Sequence, residues 1–231
     1  MKEKNIDFVD FHSHILPSVD HGSDSIETSL RQLKLAESFG ISKIFATSHF
    51  YPHQHTVASF IESRNNAYIK LMETGVSIPE IKLGAEVLLC KRLHHLDGIE
   101  KLCINGTNIL LLELPFTVIT SELIHSVEAL IDDGFEVILA HADRYHRADI
   151  EALIAIGASL QINADSLASP FRRKVLLDWF SRGLVVGIGS DLHGPDKSAY
   201  KKFFKAVSKI GNYAEEVKSK SEEIFKKALH L

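Results

Sequence analysis

The chain has only two cysteines in 231 residues, Cys90 and Cys103. They form no Cys-x-x-Cys pair, and the positions six residues beyond each are Leu96 and Ile109, so no Cys-x5-Arg loop exists. Thiolate zinc sites, dithiol redox chemistry and cysteine-based phosphate chemistry are thereby excluded, and both residues are expected to be buried free thiols. Basic charge is not in excess either. A formal net charge of −4 offers no electrostatic footprint for nucleic acid. No apolar run is long enough to span a bilayer, and the opening MKEKNIDFVD carries no hydrophobic signal segment. A cytoplasmic protein that is not itself a membrane protein is expected. Repeats, low-complexity tracts and linkers are also missing, so residues 1–231 are expected to form a single domain.

What the chain does have is ordinary globular composition, 45% hydrophobic and 24% charged, enough for a sizeable core. Short apolar runs alternate with segments of helical period. The runs Ile6–Phe11, Ser42–Ala46, Lys82–Val87, Asn108–Glu113, Glu136–Ala140, Ser159–Ile162 and Val185–Ile188 are predicted strands. Helices are predicted over Ser25–Phe39, Thr56–Glu73, Ser121–Asp132, Arg147–Ala155 and Pro170–Arg182, with Gly40, Gly75, Gly134, Gly157 and Gly183 near their ends. Such alternation predicts a parallel sheet with helices outside, either open or closed into a barrel. Leu88–Thr107 fits the alternation poorly. Ala199–Leu231 reads as two amphipathic helices.

Residues 9–21, VDFHSHILPSVDH, crowd Asp10, His12, His14, Asp20 and His21 into a short stretch. His12 and His14, two apart, share one face of a strand, and the same spacing puts Asp10 there. Histidines on a strand face can be hydrogen-bonded core residues or metal ligands. The other strands favour the second reading, because in a parallel barrel functional groups gather at the C-terminal strand ends. Those ends carry His49 in ATSHF, Glu86 in GAEV, Glu113 in LLEL, His141 in LAHADRY, Asn163 in QINADS, and Asp191 with His193 in GIGSDLHG. Carboxylates are almost never buried without a partner, yet Glu86 and Glu113 stand in apolar surroundings.

The set His12, His14, His21, His49, Glu86, Glu113, His141, Asp191 and His193 exceeds the needs of one ion and suits two or three. Imidazole and carboxylate without thiolate suit manganese, iron, zinc or cobalt. Close metal pairs serve in-line displacement, so phosphoester hydrolysis is the chemistry expected.

The motifs FHSH, TSHF, GAEV, LAHADRY, LQINADSL and GIGSDLHG resemble the PHP (polymerase and histidinol phosphatase) superfamily. More narrowly they are similar to the manganese-dependent tyrosine-protein phosphatases of bacterial capsule and exopolysaccharide operons, the CpsB/YwqE type. The resemblance runs from about residue 6 to residue 195. It implies an α/β fold, a distorted seven-stranded TIM-like barrel, with Mn2+ as the metal and Fe, Zn, Co or Mg as other candidates. It also implies one ion on His12, His14, Glu86 and Asp191, a second sharing Glu86 with Glu113 and His141, and a third on His21, His49 and His193. Arg144 would hold the phosphate through its planar fork. The implied substrate is a phosphotyrosine protein, the tail of a bacterial tyrosine kinase of polysaccharide export.

This chain departs from that pattern in places. Position 21 is His where the subfamily usually has Asp, HADRY replaces His-Pro-Glu-Arg-Tyr, and no second arginine follows SDLHG, where Lys197 is the available cation. Asp143 is a candidate proton donor, and Tyr51, in the loop with Phe50, His53 and His55, a candidate wall for an aromatic ring. Histidinol phosphate or another small phosphomonoester is the alternative substrate. A metal-dependent amidohydrolase is disfavoured, since Glu113 stands where that family often has a carbamylated lysine. A non-catalytic metal-binding module is disfavoured by Arg144.

Overall fold

The computed structural model describes residues 8–231, so Ile6 and Asp7 of the first expected strand lie outside the described residues. The strands are β1 (Val9–His14), β2 (Lys43–Ala46), β3 (His49–Phe50), β4 (Glu80–Leu83), β5 (Glu86–Leu88), β6 (Ile109–Glu113), β7 (Glu136–Leu139), β8 (Ser159–Asn163), β9 (Val185–Gly189) and β10 (Leu192–His193). Between and after them run α1 (Ile26–Ser38), α2 (Val57–Met72), α3 (Ser121–Asp132), α4 (Arg147–Ala155), α5 (Ala164–Ala168), α6 (Pro170–Ser181), α7 (Lys197–Lys209) and α8 (Ala214–Lys227). Every strand pair is parallel. One sheet has the order β10-β1-β2-β4, the other β3-β5-β6-β7-β8-β9.

The sequence predicts seven continuous strands, whereas the described residues form ten in two sheets. One predicted strand, Lys82–Val87, is interrupted by Gly84–Ala85, and two others are followed by short strands, β3 after Thr47–Ser48 and β10 after Ser190–Asp191. Ladder bonds continue across these breaks. Thr47 N–H donates to Ser13 O at 3.0 Å, Gly84 N–H to Ala46 O at 2.9 Å and Asp191 N–H to His12 O at 2.9 Å. A parallel sheet covered on both faces must bury near-continuous apolar strands, and these do.

Two apolar layers result. Val9, Phe11, Phe45, Ile109, Leu111, Ile138 and Ala140 pack on Phe225 and Ala228 from the C-terminal end of the chain. Phe11 and Phe45 lie 4.9 Å apart, and Phe45 and Phe225 meet edge-on at 5.1 Å. The outer layer joins the opposite strand faces to the helices. Caps fall where side-chain chemistry puts them: the Ser25 and Thr56 hydroxyls accept from Thr28 N–H and Ser59 N–H at the starts of α1 and α2. Leu88–Thr107 has no period because it folds as two 3₁₀ turns, Leu93–His95 and Ile99–Leu102, pinned by buried Leu89, Leu93 and Leu102. Cys103 is buried, which pushes its thiol up to about 12, and Cys90 is half-buried.

α7 is anchored by a polar contact inside the apolar layer. The Tyr200 hydroxyl donates to Asp10 Oδ2 at 3.0 Å, and Ser190 N–H donates to Asp10 Oδ1 at 2.8 Å. Burial pushes the Asp10 carboxyl up to about 6 against these bonds. Tyr200→Phe keeps the ring and leaves the carboxyl one donor short. Urea unfolding of this variant is expected to lose about 1–2 kcal/mol of stability, with metal content unchanged.

Candidate metal centre

Parallel strands bring their C-terminal ends to one side, and register fixes which residues meet there. Across β1–β10 His14 stands opposite His193, and across β3–β5 His49 stands opposite Glu86. The β1–β2 register slips between Asp10 and Ser13. Strict alternation predicts Asp10 beside His12, and Asp10 Oδ1 accepts from the His12 backbone N–H at 3.5 Å, but the two side chains take different partners. Asp10 meets Ser190 and Tyr200, while the His12 ring meets Gln161 and Glu86. The Asp10 carboxyl thus ties β1 to Ser190 and Tyr200 rather than to the His12 ring.

The side chains converge closely. His12 Nε2 and His14 Nε2 are 3.1 Å apart. Both reach Glu86 Oε2, at 3.0 and 3.2 Å, and Asp191 Oδ1 lies 3.3 Å from His14. His49 Nδ1 stands 3.1 Å from Glu86 Oε2 and 3.6 Å from Glu113 Oε2. His141 Nε2 meets Glu86 Oε1 at 2.6 Å and Glu113 Oε1 at 3.8 Å. Ligand atoms come together in three overlapping groups: His12, His14 and Glu86; His49, Glu86 and Glu113; and His14, His49 and His193.

These residues fit cations. Ligand atoms at about 2.1 Å around one ion stand roughly 3 Å apart, which is the spacing seen. One proton satisfies one pair of such atoms and not the set. Nδ1 of His141 is buried with no hydrogen-bond partner, and Nδ1 of His49, though 3.1 Å from Glu86 Oε2, makes no hydrogen bond either; a buried polar atom left so is costly. Burial would raise the Glu86 carboxyl, but the His12 charge and hydrogen bonds from His12, His14 and His141 hold it well below the usual range. Asp191 is likewise held low, against its burial, by His14, His12 and Arg144.

His21 is the ninth expected ligand. Its exposed ring lies 4.8 Å from that of His49 and 4.6 Å from that of His193, outside the three converging groups. His141 and Asp191 hold backbone φ of 33° and 51°, a left-handed region that non-glycine residues seldom occupy and that gathers at functional sites.

Sequence reasoning gave no role to the residues that orient this set. Gln161 Oε1 pairs with His12 Nδ1 at 3.0 Å and accepts from His141 N–H at 2.6 Å. Asn163 Nδ2 donates to Asp191 Oδ2 at 3.0 Å. Asp20 Oδ2 pairs with His14 Nδ1 at 2.8 Å and accepts from His49 N–H at 2.9 Å. Such partners fix ring orientation and raise ligand basicity. Asp20 and Asn163 were visible in the motifs. Gln161 stood in the same LQINADSL motif, but a neutral amide gives no metal-ligand signal.

Beside the ligands lies a cavity of about 250 Å³ lined by Arg144, Asp191, His193 and Lys202 among others. Arg144 bonds Asp191 Oδ2. Lys197, the cation expected here, is not among the lining residues. Asp196, Ala199 and Lys202, three apart, form the face of α7 that meets the cavity, and Lys197 is off it. Tyr51 stacks on His49 at 5.1 Å, and burial pushes its hydroxyl up to about 12. Phe50, expected in the same loop, belongs to β3 and is core. Both oxygens of Asp143 are engaged, accepting from Asn163 N–H at 2.8 Å and from the Ser166 hydroxyl at 2.6 Å.

Residues 8–227 match the model of the CpsB/CapC family of capsular polysaccharide synthesis. The chain belongs to this family. It is 30% identical to CapC of Staphylococcus aureus over 204 residues, covering 80% of this chain and 76% of that one. It is 27% identical to the tyrosine-protein phosphatase CpsB of Streptococcus pneumoniae, covering 81% and 84%. A similar fold is seen in one of the crystal structures of YwqE from Bacillus subtilis and CpsB from Streptococcus pneumoniae, described as metal-dependent tyrosine phosphatases. There the TM-score is 0.79 at 20% identity, covering 96% of each chain. Family membership bears out the resemblance carried by FHSH, GAEV and SDLH.

Proposed function

We propose that this chain is a metal-dependent phosphomonoester hydrolase that removes phosphate from tyrosine side chains of a protein. The observation that carries this reading is the trio of overlapping ligand groups beside Arg144, in a family with relatives named tyrosine-protein phosphatases. His12, His14, Glu86 and Asp191 would hold one Mn2+ ion, Glu86, Glu113 and His141 a second, and His49, His193 and His21 a third. When bound, such ions supply a nucleophilic water at neutral pH and neutralise phosphate charge.

This chain's own residues do the rest. Arg144 and Lys202 hold phosphate oxygens at the cavity, and Lys197 serves as a more distant point charge. A water oxygen bonds to phosphorus as the bond to the tyrosine oxygen breaks. The leaving phenolate, of pKa near 10, departs more readily than an alkoxide. That suits a site where Asp143, the sequence candidate for proton donor, is engaged with Asn163 and Ser166. In this reading Asp143 acts by positioning Asn163, and through it Asp191. Across the strand breaks the two sheets are read as one distorted seven-stranded barrel, because β9 pairs with β8 and β10 with β1. Residues 1–231 would be one domain of a cytoplasmic enzyme, its partner the tyrosine-rich tail of a polysaccharide-export kinase. Among the described residues no helix is long and apolar enough to cross a membrane.

The test is hydrolysis of a phosphotyrosine peptide and of histidinol phosphate by metal-stripped protein before and after manganese is restored. Manganese-dependent release from the peptide alone is expected. Release from histidinol phosphate alone would overturn the substrate. Arg144→Lys keeps the charge and loses the fork, so kcat/KM on the peptide is expected to fall about 10²-fold with metal content unchanged. Unaltered kinetics would remove Arg144 from the phosphate site.

A further inference from the structure

We propose that Phe116, backed by Tyr145, is the shelf on which the aromatic ring of the substrate lies. The inference rests on the phosphomonoesterase reading above and adds a residue that selects aryl over alkyl esters. Phe116 follows the candidate ligand Glu113 by three residues, in the loop that leaves β6, and is 77% exposed. Its ring lies 5.7 Å from that of Tyr145, inclined by 31°. Tyr145 in turn lies 5.7 Å from the His141 ring. An unbroken aromatic row thus runs from a candidate metal ligand out to solvent.

Tyr145 is held in place by chemistry that removes it from other roles. Its hydroxyl donates to Leu114 O at 2.7 Å, pinning the base of the Phe116 loop. Burial and the Glu113 and Glu86 charges push that hydroxyl far above its ordinary range, so it stays protonated and neutral. What remains available is the face of Phe116. Phe171 is also strongly exposed, at 89%, but no ring contact links it to the centre among the described residues.

In an aryl phosphate the ring is joined to phosphorus by a single oxygen. A phosphate held at Arg144 and the ligand groups therefore places its ring immediately beside them. Aromatic pairs favour offset or edge-on packing, which an exposed and inclined Phe116 offers. Tyr51, stacked on His49, stands by the other end of the ligand set. Alkyl phosphates and free phosphate bring no ring to this row.

The test compares the holoenzyme with Phe116→Ala and Phe116→Trp on a phosphotyrosine peptide, with inhibition by phenylphosphonate and by inorganic phosphate measured alongside. Phe116→Ala is expected to raise KM for the peptide and Ki for phenylphosphonate about fivefold, with kcat and Ki for inorganic phosphate unchanged. Phe116→Trp is expected to restore both. Equal weakening of phenylphosphonate and inorganic phosphate, or no change in either, would overturn the shelf. So would a changed oligomeric state in Phe116→Ala with unaltered Ki values, which would assign the exposed ring to a second copy of this chain. Wild-type protein that hydrolyses no phosphotyrosine yet binds phenylphosphonate more tightly than Phe116→Ala would fault the function and leave the shelf standing.

Discussion

Glu86→Gln is expected to strip metal from the protein and to lower phosphotyrosine hydrolysis by at least about 10²–10³-fold, the scale on which a single electrostatic group acts. The substitution keeps shape and removes only charge. Glu86 is fully buried, and its two oxygens face His12, His14, His49 and His141. It belongs to two of the three converging ligand groups, so its loss affects more than one ion. Breaking a buried pair by removing one partner costs about 3–5 kcal/mol, and a lower melting temperature is expected as well. Measuring bound metal per folded chain, with circular dichroism on the same sample, separates ligand loss from unfolding. A folded Glu86→Gln protein with full metal content and wild-type turnover would end the assignment of Glu86 as the shared ligand.

Gly189→Val is expected to be comparably damaging, although glycine has no chemistry to lose. A Cβ at this position would stand 2.5 Å from His12 Cβ, 2.7 Å from Gln161 Nε2 and 3.1 Å from the His12 backbone nitrogen. β9 approaches β1 this closely only because the side chain is absent. Gly187 is similar, its added Cβ reaching 2.4 Å from the Phe11 ring. Forcing β9 away moves His12 and the amide that orients it. A stability loss of about 3 kcal/mol and reduced metal content are expected together in thermal unfolding and metal analysis. Gly84→Ala is the control, because its Cβ would meet Ile104 at an ordinary 3.4 Å. If Gly189→Val matched Gly84→Ala in both readouts, the close approach would carry no weight.

Much of the centre was legible because metal sites need particular residue types at strand ends, and strand ends show as apolar runs stopping. Eight of the nine expected ligands, all but His21, either fall in the converging groups or, as His141 and Asp191 do, touch them directly. Lys197 lies off the cavity lining, because spacing from SDLHG does not reveal helical phase. Once α7 starts after Asp196, the cavity face falls on Ala199 and Lys202. Phe116 drew no notice, because an aromatic residue after a strand ordinarily turns inward.

By itself, the sequence determined the alternating parallel architecture, the lack of any Cys-x-x-Cys pair or excess of basic charge, and the residue types of the ligand set. All of these follow from local pattern and side-chain chemistry. Tertiary structure alone decided that the Asp10 carboxyl bonds Ser190 and Tyr200 rather than the His12 ring, that Gln161, Asn163 and Asp20 hold the ligands, that Lys202 lines the cavity and that Phe116 packs on Tyr145. Those facts depend on contacts between residues far apart in the chain. Register, helix phase and close backbone approach set such contacts, and no local pattern encodes them.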